Sequence, residues 1–396
     1  MVEIADIERA LGRIHGFVHK TPMFYSRSFS ELSGAEVYLK AENLQKTGSF
    51  KVRGAFNKLQ EVRGEKVIAA SMGNHAQGVA FAANILGKKA RIVMPFISSI
   101  VKQEATRGYG AEVVLHGESF KEALDLALSQ RDYEFIHAYD DEAIIAGQGT
   151  VGIEIMEDVR EIDFVIIPVG GGGLIAGIST ACKSLSPGTR VIGVQTASAS
   201  SAYRSFREKR VNESTPSTTI ADGIAVGRVG DKTFEIMSRN VDDMILVDEG
   251  PIAMAILLFL ERKKLVVEGA GAVPLAALME NKERFKGKRV VLVTSGGNID
   301  FTLIDRIIHR GLASSGRIGV FEVAVDDIPG RLHSLTGVIA AQRGNILNVV
   351  HDRLAPDLPV GRTRLVFTVE IKGKAHLDEI LEDIKKRGFE VRRSNG

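Results

Sequence analysis

The chain has 396 residues, 44% of them hydrophobic and 25% charged, with a net charge of +2. That is the mix of a globular protein with a full core, and so near neutral a balance gives no electrostatic reason to expect nucleic acid or an anionic membrane as partner. A single cysteine, Cys182, excludes an intrachain disulfide and a zinc site built from cysteines.

The chain opens acidic and amphipathic, without an apolar leader, and no apolar run is long enough to span a bilayer. A cytoplasmic enzyme or sensor is the default. Ile4, Ile7, Leu11, Ile14 and Val18 recur at helical spacing up to Thr21-Pro22. Strand-like and helical runs then alternate. Val67–Ala70, Arg91–Pro95 and Ala111–Leu115 read as strands, each followed by a helical pattern. Phe164–Val169 is an apolar run suited to a strand buried on both faces, and Val191–Val194 and Val290–Val293 repeat the type. Such alternation predicts an α/β body with parallel sheets under covering helices.

The pattern changes after about residue 312, where Leu312–Gly316 reads as a small polar hinge. Phe321, Val323 and Val325 alternate on a strand, Asp327–Gly330 is a turn, and Leu332, Leu335, Val338 and Ile339 mark a helix. A strand from Asn345 to Arg353, an alternating run from Leu365 to Ile371, a helical stripe from Leu377 to Ile384 and a strand at Phe389–Val391 complete βαββαβ. That is the ferredoxin-like α+β plan.

Four segments in the α/β body can carry chemistry. Lys51 follows Gly48-Ser-Phe50 at a helix start; in an apolar pocket such an amine is easily deprotonated and can form a Schiff base, although a solvated surface lysine is the plainer reading. Ser71-Met-Gly-Asn-His75 opens a helix and suits a carboxylate or hydroxyl, or is ordinary N-capping. Gly170–Gly173 lies between a buried strand and a helix, where backbone amides and the helix dipole favour a phosphate. Gly171, Gly173 and Ala176 formally fit the dinucleotide fingerprint, but the next strand ends in Gln195-Thr196 with no carboxylate for a ribose. No Walker lysine follows the glycines, so a compact phosphate fits better than a nucleotide. Ser295-Gly-Gly-Asn298 closes a strand; its glycines admit a flat ligand and Ser295 can meet a ring nitrogen, or the segment is only a turn. The nine histidines form no metal-binding spacing, and no nucleophile elbow supports a hydrolase.

Together and in this order, these segments resemble the fold-type II pyridoxal-phosphate enzymes of the serine/threonine dehydratase family, from about Ile4 to His309. The motifs are Lys40-x-Glu-Asn-Leu-Gln45 before Gly48–Lys51, the loop 71–75, Ala146-Gly-Gln-Gly-Thr150, the tetraglycine, Ala221-Asp-Gly223 and Ser295–Asn298. The resemblance implies a two-lobed body, residues 1–312, with parallel sheets like those of the tryptophan synthase β chain and a small lobe roughly at 48–148. It implies pyridoxal 5'-phosphate as cofactor, with Lys51 as Schiff-base carrier and Cα base and Phe50 packed on the ring. Asn74 would bond the ring hydroxyl, Gly170, Gly171, Gly172, Gly173 and Leu174 would hold the phosphate, and Ser295 would meet the ring nitrogen. Ser71, Gly73 and His75 would receive the substrate carboxylate. Racemases of the family carry a serine where Met72 stands, and acidic metal ligands where Gln195 and Ser201 stand; racemisation and a divalent site are therefore not expected. Residues 317–396 resemble the ACT regulatory domain. The implied activity is β-elimination of ammonia from L-threonine to 2-oxobutanoate, with serine secondary, in a homodimer or homotetramer regulated by an amino acid such as isoleucine or valine.

Overall fold

The computed structural model describes residues 1–354 and 357–394. It divides into two compact units, Met1–Asp300 and Phe301–Gly396. The first unit carries ten strands: β1 (Met23–Tyr25), β2 (Glu36–Ala41), β3 (Lys66–Ala70), β4 (Lys89–Met94), β5 (Glu112–Leu115), β6 (Glu134–Phe135), β7 (Phe164–Pro168), β8 (Arg190–Thr196), β9 (Asp243–Val247) and β10 (Arg289–Thr294).

They form two sheets, a large one in the order β1-β2-β10-β7-β8-β9 and a small one in the order β5-β4-β3-β6. All pairings are parallel except the antiparallel edge β1–β2. The continuous apolar runs read from the sequence take the central places. Every residue of β7 is buried, as helices cover both faces of a parallel sheet. Around it Ile167, Val191, Val291 and Val293 pack with Ile175, Ile178 and Cys182 of the helix Gly173–Leu185. The small sheet has a separate core, in which Val67, Ala69 and Ile92 meet Val52, Phe56 and Leu59 of the helix Lys51–Glu61.

Two local expectations change. The first helix runs only from Ile4 to Ile14; Gly16 follows at φ +80°, so Val18 lies beyond it although it still packs on the small-sheet core. The expected hinge at Leu312 is helical, because Leu312–Ser314 complete the helix Phe301–Ser314 that opens the second unit.

In that unit β11 (Ile318–Asp326), β12 (Asn345–Asp352), β13 (Arg362–Glu370) and β14 (Glu390–Arg393) pair in the order β12-β13-β11-β14, all antiparallel. With helices Arg331–Ala341 and Lys374–Lys386 this is the βαββαβ plan of a ferredoxin-like module. Phe321, Phe367, Leu335 and Ile380 lie in its core. Residues 355–356 and 395–396 of the span expected for this module lie outside the described residues.

Candidate active site

Open parallel sheets place ligands beyond the carboxyl ends of their strands, and three of the four segments stand there. Ser71 follows β3, Gly170 follows Pro168 of β7 by two residues, and Ser295 follows β10 directly. The lysine segment arrives from β2 and is stitched to the Ser295 loop. Phe50 N–H donates to the Ser295 carbonyl at 3.1 Å and Gly297 N–H to the Gly48 carbonyl at 2.9 Å, with a bridge between Ser49 and Gly296. Gly48 sits at φ +72°, and a Cβ there would collide with the Asn298 amide.

Lys51 begins the helix Lys51–Glu61 and is half-buried. Its Nζ donates to the Ala138 carbonyl at 2.9 Å and lies 5.3 Å from the Phe50 ring centroid. Burial lowers its pKa to about 8, against the opposing attraction of the Glu268 carboxylate. The amine is thus much closer to its nucleophilic, neutral form at neutral pH than an exposed lysine.

Tyr139, next to the carbonyl that holds Lys51, joins the lysine to the glycine loop. Its ring fills the space where a Cβ on Gly171 would go, and its Cα is 3.1 Å from a Cβ built on Gly173. On the other side a Cβ on Gly172 would lie 2.8 Å from Thr233 Oγ1, and Gly172 itself has φ +94°. Thr233 Oγ1 donates to the Gly171 carbonyl at 2.7 Å. The Gly171 carbonyl is held from outside while the loop feeds the N-terminus of Gly173–Leu185, whose first amides have no intrahelical acceptor. Leu174 is buried. Such a cradle, too tight for side chains and rich in amides, is made for a compact anion.

In the loop 71–75, Ser71 Oγ accepts from Gly73 N–H at 3.2 Å and Ala76 N–H at 3.3 Å. The first-turn amides of Asn74 and His75 remain for an external anion. The His75 ring is buried, its Nε2 is 3.0 Å from the Ile136 carbonyl, and burial drops its pKa to about 3. With the ring so engaged, the backbone amide is the group His75 could offer an anion. Asn74 Nδ2 donates to both oxygens of Glu268, at 2.8 and 3.0 Å, and its Oδ1 accepts from Asn298 Nδ2 at 2.7 Å.

Glu268 and Tyr139 are missing from the sequence reading of the site, and Asn298 stands there only as the last letter of a motif, with no role. Glu268 precedes the helix Gly269–Glu280 and is buried; burial raises its pKa to about 7 against the bonds from Asn74. An acid before a helix is a common surface feature, so only the apolar Val266-Val267 before it hints at burial. Away from the lysine, Gln195 Oε1 accepts from Tyr203 N–H at 3.0 Å and Ser201 Oγ donates to the Val226 carbonyl at 2.7 Å. Both side chains brace the fold.

An amide-rich glycine loop, joined through Ala138-Tyr139 to a half-buried, readily neutral amine, suits a phosphorylated carbonyl cofactor. On two parallel sheets, that defines a fold-type II pyridoxal-phosphate enzyme. The chain belongs to the pyridoxal-phosphate dependent enzyme family, whose model matches residues 14–296, and pyridoxal phosphate is its cofactor. It is 47% identical to an L-threonine ammonia-lyase of Thermotoga maritima and 43% identical to one of Geobacter sulfurreducens, each match covering 99% of both chains. Among solved structures, a T.th. threonine deaminase superposes with a TM-score of 0.73 at 42% identity, covering 76% of this chain and 99% of that one. Maize serine racemase superposes with a TM-score of 0.74 at 31% identity, covering 79% of this chain and 98% of that one.

Proposed function

We propose that the chain is a threonine ammonia-lyase, converting L-threonine to 2-oxobutanoate and ammonia, with L-serine to pyruvate as a lesser activity. The observation that carries the reading is the meeting of Lys51, with its pKa near 8, and the glycine cradle through the single segment Ala138-Tyr139. The two relatives that span the whole chain and bear the name L-threonine ammonia-lyase support the choice of substrate.

In this reading the amides of Gly170–Leu174 hold the cofactor phosphate, Asn74 donates to the ring oxygen, Phe50 packs against the ring and the Ser295 hydroxyl meets the ring nitrogen. Pyridoxal phosphate supplies the electron sink. The amides of the loop Ser71–His75 receive the substrate carboxylate. Lys51, neutral when released, takes the Cα proton, a contribution of roughly 10²–10⁴-fold. Ser295, a hydroxyl where a carboxylate would be needed to keep the ring nitrogen protonated, would favour loss of the β-hydroxyl over transamination. Where the family's racemases carry the serine that works from the opposite face, this chain has Met72, half-buried, whose thioether moves no proton. Lys51 therefore works from one side, and elimination prevails over racemisation.

The C-terminal module would act as an amino-acid-binding ACT domain, with isoleucine or valine as effector, in a homodimer or homotetramer working in the cytoplasm. Among the described residues no helix is long and apolar enough to cross a membrane. The test is a steady-state assay of 2-oxo acid release from L-threonine, L-serine and their D-forms by the cofactor-loaded protein, with D-serine measured in parallel. Turnover should be fastest on L-threonine. Absence of 2-oxobutanoate would remove the substrate assignment, and D-serine outpacing pyruvate would replace it with a racemase.

A further inference from the structure

Asparagine can present either its oxygen or its NH₂ to a ligand, and the two orientations differ by a flip. The surroundings of Asn74 allow one. Asn298 Nδ2, anchored on the Thr47 carbonyl at 2.8 Å, donates to Asn74 Oδ1. On the opposite side the Glu268 carboxylate takes both of its short contacts from Asn74 Nδ2. Once ionised, the Glu268 carboxylate only accepts, so a flipped Asn74 would set oxygen against oxygen there; at Asn298, whose Nδ2 is held by the Thr47 carbonyl, it would set NH₂ against NH₂ whatever the state of Glu268. With one Nδ2 hydrogen directed at Glu268, the second is left to donate elsewhere.

Glu268 is itself held for this task. Its N–H donates to the Gly296 carbonyl at 3.1 Å, and its carboxylate lies against Gly296, where any Cβ would collide with Oε1. A Cβ on Gly223 of the Ala-Asp-Gly segment would be 3.4 Å from the same oxygen. The residue is only 4% exposed, and among the described residues no Lys or Arg bonds to it directly. Its charged neighbours Lys51, Lys102 and Asp222 act through space. A buried carboxylate supported by one amide is costly to the fold, and two glycines are kept bare beside it.

We propose that Glu268 is the positioning residue that fixes Asn74 as a donor toward the cofactor's ring oxygen, and thereby sets cofactor affinity. The inference rests on the placement of Asn74 in the proposed function and requires no particular substrate.

The test is a titration of apoenzyme with pyridoxal phosphate, followed by the absorbance of the bound cofactor. Glu268→Ala should weaken binding by roughly tenfold or more, the scale of one charge-assisted hydrogen bond. Glu268→Gln, which keeps an acceptor and the volume, should recover most of the loss. Asn298→Ala, acting on the other side of the same amide, should weaken binding in the same direction. In an Asn74→Ala background, Glu268→Ala should add less than about twofold, the coupling expected of two residues that act through one contact. Wild-type affinity in Glu268→Ala, or an undiminished effect in the Asn74→Ala background, would overturn the proposal. Glu268→Gln and Asn298→Ala decide it by themselves should Glu268→Ala not fold, since wild-type affinity in Asn298→Ala then overturns it. Because no substrate enters the titration, failure of the threonine assignment would leave its result intact.

Discussion

Two influences pull the Lys51 proton in opposite directions. Burial favours the neutral amine, and Glu268 favours the ammonium. Burial dominates, and the pKa falls from the ordinary 10.5 to about 8. The neutral amine is the nucleophile that captures a carbonyl. Capture of pyridoxal phosphate by apoenzyme should therefore quicken as pH rises toward about 8 and level off above it. A lysine in water would keep gaining beyond pH 10. Stopped-flow absorbance across pH 6–10.5 checks this, with Lys51→Ala as the blank that binds without forming the coloured bond; a rate still climbing at pH 10 would refute the shift. Lys51, the glycines and Ser295 are legible in the sequence because each stands beside glycines in a short motif. Glu268 is not, because its meaning comes from Asn74, 194 positions away, and folding alone brings the two together.

At the level of elements, the lysine helix is tied down two residues past Lys51. The Arg53 guanidinium is fully buried between Glu42, at 2.8 Å through both Nε and Nη2, and Glu154, at 2.6 and 2.9 Å. Lys40 completes the group at 2.6 Å from Glu154. Two cations and two anions come from β2 and the turn after it, from the lysine helix, and from the helix Glu142–Asp158. Breaking such a set by removing one member strands a buried charge, at a cost of about 3–5 kcal/mol. Arg53→Met should lose stability on that scale in urea unfolding of the apoenzyme, and a loss below about 1 kcal/mol would show that the group is not needed as a set. Lys40 and Glu42 were visible as motif letters and Arg53 was not, and the joint burial of the group was hidden, since charged residues in a sequence read as surface. The buried central strands were legible for the opposite reason. β1 and β6 escaped because three and two residues are too few to show a period, and β9 because its apolar run Met244–Val247 spans only about one helical turn and so fits either element.

For the molecule as a whole, the functional question is what the second unit adds to the first. The family model ends at residue 296 and the solved relatives reach 76–79% of the chain, whereas the two ammonia-lyase relatives match it to 99%. The second unit thus travels with the enzyme in some relatives and is not required for the fold of the first. It has its own core around Phe321, Phe367 and Ile380, and its own antiparallel sheet with β12 and β14 as edges. Edge strands invite pairing, and β12 is largely exposed, with Leu347 and Val350 each 49% accessible. A chain ending at Ser314 should keep 2-oxobutanoate formation within a fewfold of the full chain, because every residue proposed to act on threonine lies before residue 300. It should lose any response to isoleucine or valine, and if β12 or β14 mediates pairing, gel filtration should show a smaller assembly. Effector response persisting in the shortened chain would move the regulatory site into the first unit. Loss of all activity with the first unit still folded would mean that the second unit shapes the active site instead of governing it.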